Sequence, residues 1–168
     1  MNAPATKVAI VTGGARDIGR AVSIKLAAAG IKVCFIYLSS TEQANETLAL
    51  IKAAGGDAIA VQGDMTQSAD VQKLIATTVA TYGTQIDYVV NVAGGILGRK
   101  PLADLDEAFW DAVIDVNLKS VYLVCRAVLP YLVFPQGTYA IIGHSWESLQ
   151  GTHQDIKECI VQVETLPR

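Results

Sequence analysis

Five short apolar runs punctuate the chain, at residues 8–11, 33–38, 58–61, 88–92 and 139–142. Each is too short for an ordinary helix and is rich in β-branched residues or tyrosine. Each therefore predicts a strand buried on both faces, the pattern of a parallel sheet. Between them the pattern changes to helical period. In the first interval Ile18, Ala21, Val22, Leu26 and Ala29 share a face, and Gly30 is the expected stop. The second carries Leu48, Ile51 and Lys52 after Thr41 and Glu42, and ends at Gly55-Gly56. The third repeats Val71, Leu74, Ile75, Thr78 and Val79 and ends near Gly83. The fourth, residues 105–134, is long enough for two helices or for one bent at Pro130.

Strands and helices alternate without a linker, a repeat or a low-complexity segment. Crossovers in such units are right-handed, which predicts an α/β fold: a doubly wound parallel sheet with helices on both faces. The expected strand order is 3-2-1-4-5, the Rossmann type.

Composition narrows the function classes. The 168 residues suit one domain, able to bury roughly 70% of its unfolded surface. A hydrophobic share of 51% against 17% charged residues excludes disorder. The net charge of −3 gives no electrostatic case for nucleic acid or an anionic membrane. Cys34, Cys125 and Cys159 match neither a disulfide framework nor a metal-ligand spacing. They are expected as buried small hydrophobes in a reducing compartment. Residues 1–7 lack the apolar core of a signal peptide, and the apolar stretch 121–134 is broken by Arg126 and Pro130. That stretch is shorter than the ~18–20 residues of a membrane span. The expectation is a soluble, cytoplasmic protein.

The last residues read differently. Every alanine lies at or before Ala140, while both histidines, His144 and His153, lie beyond it. The division is therefore residues 1–142 as a dinucleotide-binding domain and residues 143–168 as an atypical tail that is no independent domain. A frameshifted, spliced or fused origin for the tail is the hypothesis. Ile156, Cys159, Ile160 and Val163 fit a helix face; Cys159, Val161 and Val163 fit a strand equally well.

The strongest chemical signal is Thr12-Gly13-Gly14-Ala15-Arg16-Asp17-Ile18-Gly19, after the first strand and opening the first helix. There, free backbone N–H groups and the positive helix end favour a pyrophosphate. Gly13 would permit the tight turn, and Gly19 the close approach of helix to sheet. These residues resemble the short-chain dehydrogenase/reductase fingerprint, Thr-Gly-x-x-x-Gly-x-Gly. Further motifs follow in order. Asp64, with Met65 beside it, resembles the acidic position near the adenine ring. Asn91-Val92-Ala93-Gly94 resembles Asn-Asn-Ala-Gly after the fourth strand. Asn117, in Asp115-Val116-Asn117-Leu118, resembles the catalytic asparagine. The resemblance covers about residues 5–142. It implies a nicotinamide cofactor, hydride transfer to or from a small carbonyl or alcohol, and a homo-oligomer associated through residues 105–134. Val121, Leu123, Val124, Val128 and Leu129 are the apolar positions expected to seek that partner.

Two residues depart from the pattern. Asp17 replaces the middle glycine of the loop, where a carboxylate ~4 Å from a phosphate would cost up to about 4 kcal/mol at an effective dielectric near 20. Asp17 is expected to turn away, capping the helix or pairing with a neighbouring arginine. Val92 replaces an asparagine. An acid ending strand two would hold a ribose 2′-hydroxyl and select NAD. Tyr37 stands there, followed by Leu38, Ser39 and Ser40, and Arg16 can pair bidentately with a 2′-phosphate. The expected cofactor is NADP(H), with NAD(H) second.

In the family a tyrosine transfers the proton, a lysine four residues on lowers its pKa, and a serine after strand five orients the carbonyl. Ser145 is the candidate serine, with His144 and Ser148 as alternatives. No tyrosine follows Tyr139. His153 and Lys157 repeat the four-residue spacing, but His153 lies closer to Ser145 than the family tyrosine would. The sequence therefore predicts a short-chain oxidoreductase by ancestry, weakly active or inactive as it stands. The alternative is a non-catalytic dinucleotide-binding fragment that joins full-length subunits. A methyltransferase is disfavoured by Tyr37, where such enzymes carry an acid.

Overall fold

The computed structural model describes residues 6–132 and 138–141. Five parallel strands form one sheet: β1 (Val8–Thr12), β2 (Lys32–Tyr37), β3 (Ala58–Gln62), β4 (Tyr88–Asn91) and β5 (Thr138–Ile141). Their order is β3-β2-β1-β4-β5, as the alternation predicts. Register follows the apolar runs: Ile10 lies beside Cys34 and Val89, and Val11 beside Phe35 and Val90.

Strand side chains alternate between faces, so each strand serves two cores. Ile10, Cys34, Ile36 and Val89 meet α3 (Ser68–Tyr82) and α5 (Ser120–Val128) through Val71, Leu74, Val124 and Val128. Val11, Val33, Phe35 and Val90 share the opposite core with Ala27 of α1 (Asp17–Ala28) and with Ala44 and Ile51 of α2 (Thr41–Ala53). Both faces are covered, which explains why the strands read as unbroken apolar runs.

α1, α2 and α3 end one or two residues before Gly30, Gly55 and Gly83, each of which has positive φ, as expected for a stop, but two helix faces differ from the sequence reading. The buried stripe of α1 is Gly19, Ser23 and Ala27, while Ile18 is exposed and Val22 and Leu26 are only partly covered. Small residues bring this helix close to the sheet, and apolar periodicity favours larger residues over them. The fourth interval also differs. α4 (Glu107–Ile114) runs through a π-helical turn (Asp115–Lys119) into α5 without a break, and Pro130 sits in a terminating 3₁₀ turn (Leu129–Tyr131). Val124 and Val128 are fully buried in the chain's own core, so they are not surface awaiting a partner. The exposed apolar positions here are Trp110, Leu118, Tyr122 and Leu129.

Cys34 is a buried free thiol and Cys125 a half-buried one; Cys159 lies outside the described residues. Burial pushes Cys34 up to about 11 and raises Cys125 too, against the opposing hydrogen bond from Asn91. Neither has the thiolate character of a nucleophile. No helix among the described residues is long and apolar enough to cross a membrane.

Candidate functional site

A cavity of about 740 Å³ opens at the C-terminal ends of β1, β2, β3 and β4. Small-molecule sites commonly have volumes of roughly 300–1,000 Å³. The sheet order reverses between β1 and β4 at this point, where open α/β sheets bind ligands.

The loop from β1 to α1 supplies Gly13, Arg16, Asp17, Ile18 and Gly19 to the lining, together with Ala15. Gly13 has φ +67°, and a Cβ there would lie 3.3 Å from the Ala93 backbone. Glycine is thus what lets the β1 and β4 loops touch. A Cβ on Gly19 would collide with the carbonyl of Gly13. Arg16 enters α1 in extended conformation, and no side chain caps the helix. The first-turn N–H groups have no intrahelical acceptors and carry the positive end of the dipole.

Asp17 is the one non-glycine with positive φ among the described residues, at 48°. Its carboxylate lies 3.6 Å from Arg16 Nε, with both side chains largely exposed. Of the two expected arrangements, pairing with an arginine is present and capping is not.

Tyr37 ends β2 along the next wall, followed by Leu38 and Ser39, with Ser40 and Gln43 at the start of α2. The Tyr37 hydroxyl donates to Thr41 Oγ1 at 3.5 Å. Ser40 makes no capping hydrogen bond; in the first turn of α2 the Thr41 N–H donates to Ser39 O at 3.1 Å, and no side chain caps the turn.

Asp64 and Met65 line the cavity after β3, with Gly63 and Thr66. Asp64 Oδ1 accepts from the N–H and the hydroxyl of Thr66, each at 2.8 Å. Its own N–H donates to Asp70 Oδ2 at 2.7 Å. These bonds fix the carboxylate in a tight local turn.

After β4, Ala93 and Gly94 line the cavity with Val92, Gly95 and Ile96. Two motif residues lie behind the lining. Thr12 is buried, and its Oγ1 accepts from the N–H groups of Val92 and Ala93, both at 2.9 Å. Thr12 therefore fastens the β4 loop to the end of β1. Asn91 is also buried and donates to Cys125 Sγ at 3.7 Å, on the α5 side of the sheet. Its Oδ1 has no partner among the described residues.

Asn117 reaches the site from the π turn. Its Nδ2 donates to Gly95 O at 3.0 Å and to Val113 O at 2.9 Å, while its Oδ1 accepts from Gly95 N at 3.0 Å. This reciprocal clasp ties the β4 loop to the helix, and Val116 beside it lines the cavity. Among the described contacts Asn117 is a positioning residue. Asn117→Ala is expected to lower stability by about 1–3 kcal/mol, since part-buried Gly95 groups lose their partners. Urea denaturation measures the change.

Ser145, His144, Ser148, His153 and Lys157 lie outside the described residues. The sequence reading missed Ile36, Gln43, Gly63, Thr66, Gly95, Ile96 and Val116 as lining. Gly63 and Gly95 stand next to the motifs, so strand-end position was a usable signal. Gln43 lies in the first turn of α2 and Val116 in the π turn, where only the fold brings them in. No group of metal ligands converges among the described residues.

The short chain dehydrogenase family matches the sequence over residues 7–154. This chain belongs to the short-chain dehydrogenase family. The family match runs past residue 142, into the part that sequence composition set apart as a tail. A 3-oxoacyl-[acyl-carrier-protein] reductase of Synechocystis is 42% identical over 132 residues, covering 76% of this chain and 51% of that protein. Actinorhodin polyketide ketoreductase, solved with NADPH, superposes with a TM-score of 0.70 at 30% identity, covering 77% of this chain and 48% of that one. An NADH-dependent reductase solved with NAD gives a TM-score of 0.70 at 32% identity, covering 75% and 52%. The chain spans about half the length of the curated relatives it matches.

Proposed function

We propose that this short-chain dehydrogenase binds NADP(H) in the cavity and descends from carbonyl or alcohol oxidoreductases. We also propose that the 168-residue chain as it stands transfers hydride weakly or not at all. The observation that carries the cofactor reading is the uncapped N-terminus of α1 opening on the cavity, in a loop whose close backbone approaches require glycine at positions 13 and 19. A pyrophosphate suits that cradle. Arg16, Ser39 and Ser40 surround the neighbouring space with the first turn of α2, which no side chain caps, and no carboxylate stands at Tyr37. This set suits a 2′-phosphate, which an arginine can hold bidentately.

The nicotinamide, when bound, would supply or take the hydride. The chain's own residues shape its seat: Thr12 and Asn117 hold the β4 loop, and Gly13 admits the close approach of two backbones. For the proton, the family resemblance requires a tyrosine, and none follows Tyr139. The curated relatives' names point to a 3-oxoacyl thioester as the substrate class to try. Association with a second copy, or with full-length subunits, through the exposed Trp110, Leu118, Tyr122 and Leu129 belongs to the same reading. So does a cytoplasmic location.

Titration with NADPH and NADH tests the cofactor claim, with NADPH expected to bind at least tenfold tighter. Tighter NADH binding would overturn the preference, and binding of neither would overturn the reading. Turnover of a 3-oxoacyl thioester is expected to be undetectable or slow. Robust reduction by the purified chain would overturn that part.

A further inference from the structure

Arg20 stands behind the cavity, yet its guanidinium spans two of the cavity's walls. Its Nε donates to Ala15 O at 3.1 Å and to Thr47 Oγ1 at 2.9 Å. Its Nη2 donates to Gln43 O at 3.3 Å and to Glu46 Oε2 at 2.7 Å. Thr47, fully buried, donates its own hydroxyl to Ala15 O at 2.9 Å. One loop carbonyl thus receives two donors, and the guanidinium's other hydrogen-bond partners belong to α2.

The consequence reaches Arg16. Ala15 C=O and Arg16 N–H share one planar trans peptide, so fixing the carbonyl also fixes the N–H and the root of the Arg16 side chain. The same bonds hold α2, and therefore Ser40 and Gln43, at a set distance from the loop. We infer that Arg20 and Thr47 are positioning residues that set the gap between Arg16 and the Ser39–Ser40 wall. They thereby set discrimination between dinucleotides with and without a 2′-phosphate. The inference rests on the NADP(H) reading above.

Charge-assisted bonds to phosphate work at about 2.7–2.9 Å, so a small widening of this gap is felt by a 2′-phosphate. The pyrophosphate cradle is less exposed to the change. Its N–H groups belong to the first turn of α1, which the helix itself holds.

Thr47→Val removes the hydroxyl at similar volume. Glu46→Ala frees Nη2 from the exposed side and leaves the core intact, while Thr47→Ser keeps the hydroxyl. Nicotinamide fluorescence follows NADPH and NADH binding to each full-chain variant, with a thermal melt alongside. Thr47→Val is expected to weaken NADPH at least tenfold and NADH less than threefold. Glu46→Ala should weaken NADPH selectively by about threefold, and Thr47→Ser should keep the wild-type ratio. A merely structural brace would lower the melting point and weaken both dinucleotides by one factor; that result, or unchanged ratios, overturns the inference. Where Thr47→Val does not fold, the Glu46→Ala ratio decides. Wild-type protein that binds neither dinucleotide, or prefers NADH, sinks the NADP(H) reading and this inference together. Wild-type preference that persists in the variants sinks the inference alone.

Discussion

Asp17→Gly is expected to tighten NADPH binding by about tenfold, and NADH binding by less. Two effects act in the same direction. The carboxylate at the mouth of the phosphate loop disappears, and Arg16 loses the partner that holds it at 3.6 Å. Each is worth roughly 0.5–1 kcal/mol, because charges ~4 Å apart in water give about 1 kcal/mol at most and exposed pairs give less. Release of Arg16 favours the ligand with the extra phosphate, so the gain is larger for NADPH. Salt should shrink the gain, because the contributing charges are exposed. Fold stability should change little. A non-glycine residue at φ 48° carries strain of roughly 1–2 kcal/mol, and glycine's larger unfolded-state entropy offsets about 0.5–1 kcal/mol of that relief. Asp17→Asn separates the contributions, removing charge while keeping a side chain that tolerates this backbone. Calorimetric titration of the three proteins at two salt concentrations provides the measurement. Equal NADPH affinities across the set would show that Asp17 stands clear of the ligand.

Thr12→Val should produce the largest loss of stability. Valine keeps the shape and removes the one acceptor serving the N–H groups of Val92 and Ala93. Thr12 is buried, so water cannot readily replace it. Each stranded donor costs about 1–3 kcal/mol, giving roughly 2–6 kcal/mol for the pair. At about 2–4 °C per kcal/mol for a domain of this size, the melting point should fall by roughly 4–24 °C. Thr12→Ser retains the oxygen and should recover most of the loss. A Thr12→Val protein melting within a degree or two of wild type would mean that the β4 loop finds another acceptor.

The sheet was legible because the physics behind it is local. Parallel strands buried on both faces need continuous apolar runs, and those at Val11, Phe35 and Val90 predicted strands that pair in the structure. The glycine loop was legible for a similar reason: Gly13 and Gly19 answer steric demands that few other residues meet. α1 was misread because its buried side consists of Gly19, Ser23 and Ala27, residues that hydropathy undervalues. Thr12 and Asn91 belong to recognisable motifs, yet one fastens loops and the other faces Cys125. A motif names a position without saying where its side chain points. The Arg20–Thr47 link was invisible because β2 separates α1 and α2 along the chain, and the two helices meet only once β2 pairs with β1 in the sheet. Asn117 was found by resemblance, whereas its hold on Gly95 is a property of the folded chain.

The π turn at Asp115–Lys119 has one more consequence, best expressed as angular phase. In a regular helix each residue advances about 100°, so one extra residue in a turn shifts everything after it by about that angle relative to everything before. α4 and α5 are therefore one rod with two orientations. From within the turn Asn117 holds Gly95 of the β4 loop; after it, Ser120, Val124 and Val128 are buried. Deleting a single residue between 115 and 119 would restore an ordinary helix and leave one of these two faces pointing the wrong way. The rod can serve the cavity and the core together only while it keeps that misfit.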